Sequence, residues 1–170
     1  MKQPSKNVKS ARAASERGVR LSAKDLAQVR AIAARVTLRA TSRPKALLFS
    51  GADATTAAEA IAERLRRDLY RVHLSAVISK YIGETEKNLK RLFAAAEAKG
   101  AILLIDEADA LFGKRTDVKD AHDRYSNIEI DYLLQHLAEH DGLVVFVSKP
   151  RLTLPTPWRR RFSVCHFPPP

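Results

Sequence analysis

Cysteine, methionine and tryptophan each occur once in this 170-residue chain, and aromatic residues make up only 6% of it. A single cysteine, Cys165, excludes an intrachain disulfide framework and suits a reducing compartment. No apolar run approaches the roughly 18 residues that a membrane span requires. The stretch from Met1 to Gly18 is basic and rich in Ser and Ala, but it has no apolar centre and so does not read as a secretory signal. The shortage of aromatic rings weighs against a base-stacking platform for single-stranded nucleic acid. Together these absences point to a soluble, cytoplasmic protein with no membrane partner. What is present is an apolar fraction of 45%, enough for one globular domain with a true core.

The net charge of +11 is unevenly distributed. Lys2, Lys6, Lys9, Arg12, Arg17 and Arg20 face a single acid, Glu16, in the first twenty residues. Lys149, Arg151, Arg159, Arg160 and Arg161 meet no acid between residue 143 and the end. The body between them is nearly neutral. Basic ends of this kind suit nucleic acid or an acidic protein surface, or are simply solvated tails. Residues 1–20 are read as a disordered tail, and residues 21–44 as a segment built around one helix.

That helix begins at Ser22, a side chain suited to N-capping, with Asp25 in the first turn. Leu26, Val29, Ile32, Ala33 and Val36 recur at helical spacing, and Ser42-Arg43-Pro44 stops the pattern. From residue 45 onward, short apolar runs alternate with helical stretches. Strands are expected at Ala46–Ser50, Leu69–Leu74, Ala101–Asp106, Leu143–Val147 and Phe162–Phe167. Helices are expected over 54–68, 84–99 and 122–140. The second of these carries Leu89, Leu92, Phe93 and Ala96 inward and ends at Gly100; the third carries Ile128, Ile130, Leu133, Leu134 and Leu137. Strands alternating with helices imply crossover connections and a parallel sheet. Strands that are apolar throughout imply a sheet covered on both faces. The expected fold is therefore a three-layer α/β domain with a five-stranded parallel sheet. Ligands in such folds sit at the carboxyl ends of the strands, which singles out Ser50-Gly51 and Asp106-Glu107.

Ile102-Leu103-Leu104-Ile105-Asp106-Glu107-Ala108-Asp109 is the sharpest local signal. An apolar strand delivering two acids at its end is the Walker B arrangement, in which one acid helps to hold Mg2+ and the next orients a water toward the γ-phosphate. Upstream lies Ser79-Lys80-Tyr81-Ile82-Gly83-Glu84-Thr85-Glu86-Lys87-Asn88-Leu89, and downstream Ala110-Leu111-Phe112. In order and spacing these segments resemble the AAA family of hexameric ATPases, from about residue 45 to the end of the chain. The resemblance implies a P-loop NTPase-like core that binds ATP with Mg2+ and couples hydrolysis to protein remodelling. It assigns Asp106 to the metal and Glu107 to catalysis. It makes Lys80, Tyr81, Ile82 and Gly83 the first pore loop, where an aromatic ring grips a polypeptide substrate. It places a second pore loop between Lys114 and His122.

The resemblance breaks at the phosphate loop. The pattern G-x-x-x-x-G-K-[ST] brings backbone N–H groups and a lysine onto the phosphates. Here the segment is Phe49-Ser50-Gly51-Ala52-Asp53-Ala54-Thr55-Thr56-Ala57-Ala58-Glu59, shorter by about one helical turn. It has Gly51 but no second glycine, and no lysine occurs between Lys45 and Lys80. Asp53 stands where phosphates would approach. Gly51, Thr55 and Thr56 remain as the candidate nucleotide contacts. Lys149 occupies the position of the family's water-positioning Asn after the fourth strand. Arg160 and Arg161, beside Arg159, are the candidate arginine fingers for a neighbour's nucleotide. The family's helical lid is expected to be absent, because the chain runs out at Pro168-Pro169-Pro170. The leading expectation is an AAA core impaired in nucleotide binding and hydrolysis, working as a structural or regulatory subunit in a ring with copies of itself or with an intact AAA relative. An active remodeller and a nucleic-acid-associated module are the alternatives.

Overall fold

The computed structural model describes residues 21–38, 46–78, 81, 83–112, 131–152, 154 and 159–169. In chain order the elements are α1 (Ala23–Leu38), β1 (Ala46–Ser50), α2 (Ala54–Arg64), β2 (Leu69–His73), a short 3-10 turn at Leu74–Ala76, α3 (Glu84–Ala98), β3 (Ile102–Asp106) and the one-turn α4 (Asp109–Phe112). A helix over residues 131–139, here α5, precedes β4 (Val144–Ser148) and β5 (Phe162–His166). All five expected strands are present, with ends that move by one residue at most. Of the expected third helix, residues 122–130 lie outside the described residues.

The strands form one sheet in the order β2-β3-β4-β1-β5, and every pairing is parallel. The chain thus crosses over after each strand, with β1 returned to a place between β4 and β5. All five residues of β1 and of β4 are buried, as central strands covered on both faces should be. The edge strands β2 and β5 are only partly buried.

Side chains alternate between two apolar layers. Leu47 and Phe49 of β1, Ile102 and Leu104 of β3, and Val145 and Val147 of β4 pack under α1 and α2. Leu48, Leu103, Ile105, Val144 and Phe146 face α3 and α5, where Leu89, Leu92, Phe93, Leu133, Leu134 and Leu137 cover them. Each fully buried Leu, Ile or Phe contributes about 2 kcal/mol by leaving water. The apolar strand runs that suggest a doubly covered sheet therefore mark the two sides of one sheet.

In α1 the expected stripe holds at Val29, Ile32, Ala33 and Val36, which are buried, and departs at its first position. Leu26 is 38% exposed, whereas Asp25 is buried. The capping exchange explains why Asp25 is the buried residue of the first turn. The Ser22 hydroxyl donates to Asp25 Oδ2 at 2.6 Å, and the Asp25 N–H donates to Ser22 Oγ at 3.1 Å. With its carboxylate bonded, Asp25 can lie in line with Val29, Ile32 and Val36 against the sheet. α1 also covers β5. Burial pushes the Cys165 thiol up, partly offset by a hydrogen bond with Gln28 and by the charge of Arg35.

Candidate functional site

The carboxyl ends of all five parallel strands lie along one edge of the domain, and two groups of side chains gather there. The first is built on β2 and β3. His73 and Asp106 are register partners on these neighbouring strands. Side chains two apart on a strand share a face, so Arg71 lies on the same side as His73. The Arg71 guanidinium donates from Nη2 to Asp106 Oδ2 at 2.5 Å. The other carboxylate oxygen, Oδ1, accepts the Glu107 N–H at 2.9 Å. His73 Nδ1 lies 3.9 Å from Asp106 Oδ2 and 3.8 Å from Glu107 Oε1. Ser75 Oγ donates to Glu107 Oε2 at 2.9 Å. Asp106 is largely enclosed, and Glu107 is exposed.

Glu107 has φ +64°, the left-handed region that a side chain other than glycine's enters at a cost of about 1–2 kcal/mol. The surrounding bonds offset that cost. The Ala108 N–H reaches the Val147 carbonyl at 2.9 Å, and the Ala110 N–H reaches the Glu107 carbonyl at 3.0 Å. Ser148 Oγ donates to the Pro150 carbonyl at 2.9 Å and approaches Asp109 at 3.3 Å. The chain leaving β3 is therefore bonded to β4 and aims two acids past the sheet.

The second group is the β1–α2 turn. Gly51, Ala52 and Asp53 alone separate β1 from α2. Gly51 has φ +109°, and a Cβ there would stand 1.9 Å from the Phe167 carbonyl oxygen. Only glycine fits both conditions. Its N–H is spent on the Ser148 carbonyl at 3.0 Å. The Phe167 N–H bonds to the Ser50 carbonyl at 2.7 Å, so the chain leaving β5 runs tightly beside the turn. Ser50 Oγ and His166 Nδ1 are 3.1 Å apart. Asp53 is buried at the N-cap position of α2, yet its side chain caps nothing. The Ala57 N–H bonds to its carbonyl instead, at 2.9 Å. Thr55 and Thr56 are half-buried in the first turn of α2.

The remaining candidates are dispersed. Arg160 and Arg161 are exposed just ahead of β5. Phe162 pairs with Ala46 and His166 with Ser50, so these arginines belong to the amino edge of the sheet. A five-residue strand separates them from the acids' edge by on the order of 15 Å. Tyr81 is 64% exposed. Gly83, at φ +80°, forms the N-cap of α3 and turns the chain sharply into that helix, as its glycine suggests. Lys80, Ile82 and the segment from Lys114 to His122 lie outside the described residues. Lys149 is exposed immediately after β4.

Sequence reasoning missed Arg71, His73, Ser75, Ser148 and His166. A signal existed for two of them, since Arg71 and His73 are the only basic residues of β2 and stand two apart. Their meaning depends on β2 lying next to β3.

The all-parallel, doubly covered five-stranded sheet with paired acids at a strand end has the architecture of a P-loop NTPase-like α/β core. Within that class the chain belongs to the AAA family: residues 50–168 match the family described as "ATPase family associated with various cellular activities (AAA)". It is 32% identical over 103 residues to spastin from Ixodes scapularis, a match covering 58% of this chain and 16% of that protein. It is 38% identical over 104 residues to the proteasome-activating nucleotidase of Methanocaldococcus jannaschii, covering 58% of this chain and 23% of that protein. The ATPase-like fidgetin of Schizosaccharomyces pombe is 28% identical over 92 residues, covering 52% of this chain and 14% of its own length. The chain thus spans under a quarter of the length of each of these relatives. No helix among the described residues is long and apolar enough to cross a membrane.

Proposed function

We propose that this AAA core binds ATP weakly, turns it over poorly, and serves as a structural or regulatory subunit in a cytoplasmic ring with copies of itself or an intact relative. The observation that carries this is the β1–α2 turn. A triphosphate needs converging backbone N–H groups and a lysine. The turn has three residues, the Gly51 N–H is already bonded to Ser148, and a buried Asp53 stands at its end. Loss of the lysine alone removes a charge-assisted contact worth ~1.5–3 kcal/mol. The N-terminus of α2 with Thr55 and Thr56 still favours an anion. On the metal side, the Arg71 guanidinium is already paired with Asp106 and opposes a second cation there. The residues present therefore do not fit Mg2+ with ATP in this arrangement, which leaves the acid pair without a phosphate to act on. Arg160 and Arg161, remote from this chain's own acids, suit a finger offered to a neighbour's nucleotide. The exposed Tyr81 suits contact with a polypeptide in a ring channel.

Titration with a fluorescent ATP analogue tests the proposal. The expected result is affinity weaker than micromolar and phosphate release at background. Micromolar affinity, with Mg2+-dependent turnover abolished by Glu107→Gln, would overturn it.

A second reading, an active remodeller, is favoured by the strained backbone of Glu107. Strain of this kind collects at working sites. It predicts assembly driven by nucleotide. A chain that sediments as a monomer with ATP and Mg2+ counts against it.

A further inference from the structure

We infer that Arg71 is a built-in counter-ion that takes the place of a divalent cation on Asp106, so that the acid pair of this domain is assembled without metal. A carboxylate with only 13% of its side chain exposed needs a compensating charge. Two kinds of cation can supply it. Mg2+ demands near-ideal octahedral geometry, gives up its waters reluctantly, and relies on substrate phosphates for part of its shell. A guanidinium needs only a reachable oxygen and stays protonated throughout the accessible pH range.

The sheet supplies the guanidinium. β2 is the parallel neighbour of β3, His73 is the register partner of Asp106, and Arg71 precedes His73 by one repeat of the strand face. Its Nη2 reaches Asp106 Oδ2, while Oδ1 is taken by the Glu107 N–H. Each oxygen keeps a second lone pair, so what opposes a metal ion at Asp106 is the positive charge of Arg71, already seated on the carboxylate. Arg71 has its own reason to stay. Its Nε is buried with no hydrogen-bond partner among the described residues, so Asp106 is the anchor of the group. Glu107 is a poor second ligand, with Oε2 accepting from Ser75 and Oε1 3.8 Å from His73. The inference rests on the impaired-nucleotide reading for the claim that no phosphate arrives with the metal, and on the β2–β3 geometry for the rest.

Mn2+, followed by the electron paramagnetic resonance of the free ion, is the probe, used on the full chain without nucleotide. Wild type is expected to leave millimolar Mn2+ free. Arg71→Gln is expected to bind it at least roughly tenfold more tightly, and the double variant Arg71→Gln/Asp106→Asn to lose that gain. Equal binding by wild type and Arg71→Gln overturns the inference, as does a gain that survives Asp106→Asn. If Arg71→Gln does not fold, thermal unfolding of wild type and Asp106→Asn with and without Mg2+ decides the matter. Asp106→Asn is expected to unfold at a lower temperature, with Mg2+ shifting neither protein. A Mg2+-dependent rise in wild type that Asp106→Asn abolishes overturns the inference. Tight binding of an ATP analogue in Mg2+-free buffer, by contrast, would strike the impaired-nucleotide reading and leave Arg71 untouched.

Discussion

The two halves of the sheet's carboxyl edge are built in opposite ways. At the ends of β2 and β3, side chains do the holding: Arg71 on Asp106, Ser75 on Glu107, with His73 near both acids. At the ends of β1 and β5 the backbone does most of it: Gly51 against Phe167, the Ser148 carbonyl on the Gly51 N–H, and the Ser50 carbonyl on the Phe167 N–H, with Ser50 Oγ beside His166 Nδ1 as a side-chain addition. Charged side chains can change partner when a ligand or salt competes, because their attraction is screened and their rotamers are free to move. A close-packed turn has no such freedom. The difference teaches that the acid pair is the adaptable half of the site and the β1–α2 turn the fixed one. Remodelling the turn to admit a phosphate would mean moving β5.

That contrast can be broken by substitution. The largest effect is expected at Gly51. Gly51→Ala puts a methyl group 1.9 Å from the Phe167 carbonyl oxygen and forces φ +109° on a side-chain-bearing residue. A loss of about 3 kcal/mol or more is expected in urea unfolding. A loss under about 1 kcal/mol would show the turn to be soft, and the contrast would fail.

Asp106→Asn comes next, with a loss of about 1–3 kcal/mol from the charge-assisted bond to Arg71. This loss should shrink as salt is raised, whereas that of Gly51→Ala should not. Equal salt sensitivity in the two variants would erase the distinction. Ser50→Ala, which removes the hydroxyl beside His166, is expected to cost about 1 kcal/mol. Glu107→Gly should change stability by under about 1 kcal/mol, because relief of the left-handed backbone is offset by the entropy of glycine. A large loss there would show that the acid's side chain, and not its backbone, holds the β3–α4 turn.

The smallest effect concerns α1 and β5. Burial pushes the Cys165 thiol up, so its thiolate, the reactive form, is scarcer than in a free cysteine at neutral pH. Alkylation by iodoacetamide should therefore be slower than that of a free thiol and should accelerate as pH rises. Reaction at the free-thiol rate would mean that α1 does not stay on the sheet.

Much of this fold was legible in the sequence, because its signals are local. The apolar run Ile102-Leu103-Leu104-Ile105 has no charged interruption, and it became a strand buried on both faces. Leu89, Leu92, Phe93 and Ala96 recur at helical spacing, and all four are buried on α3. The burial of Asp25 in place of Leu26 was not legible. An aspartate reads as an exposed residue until the hydroxyl that satisfies it is seen in place.

The candidate site divides along the same line. Asp106 and Glu107 at the end of an apolar run, Gly51 at the end of another, and the lack of a lysine between Lys45 and Lys80 are all visible within short stretches of the chain. The family, the five strands, the acid pair and the lack of a G-x-x-x-x-G-K-[ST] pattern could thus be read from the residues alone. Only the tertiary structure decided what those acids and that glycine touch. Arg71 meets Asp106, 35 positions away, because β2 lies beside β3. Phe167 presses on Gly51 because β5 lies beside β1. Strand order is a non-local choice, made by burying two apolar layers at once, and no short stretch of residues encodes it.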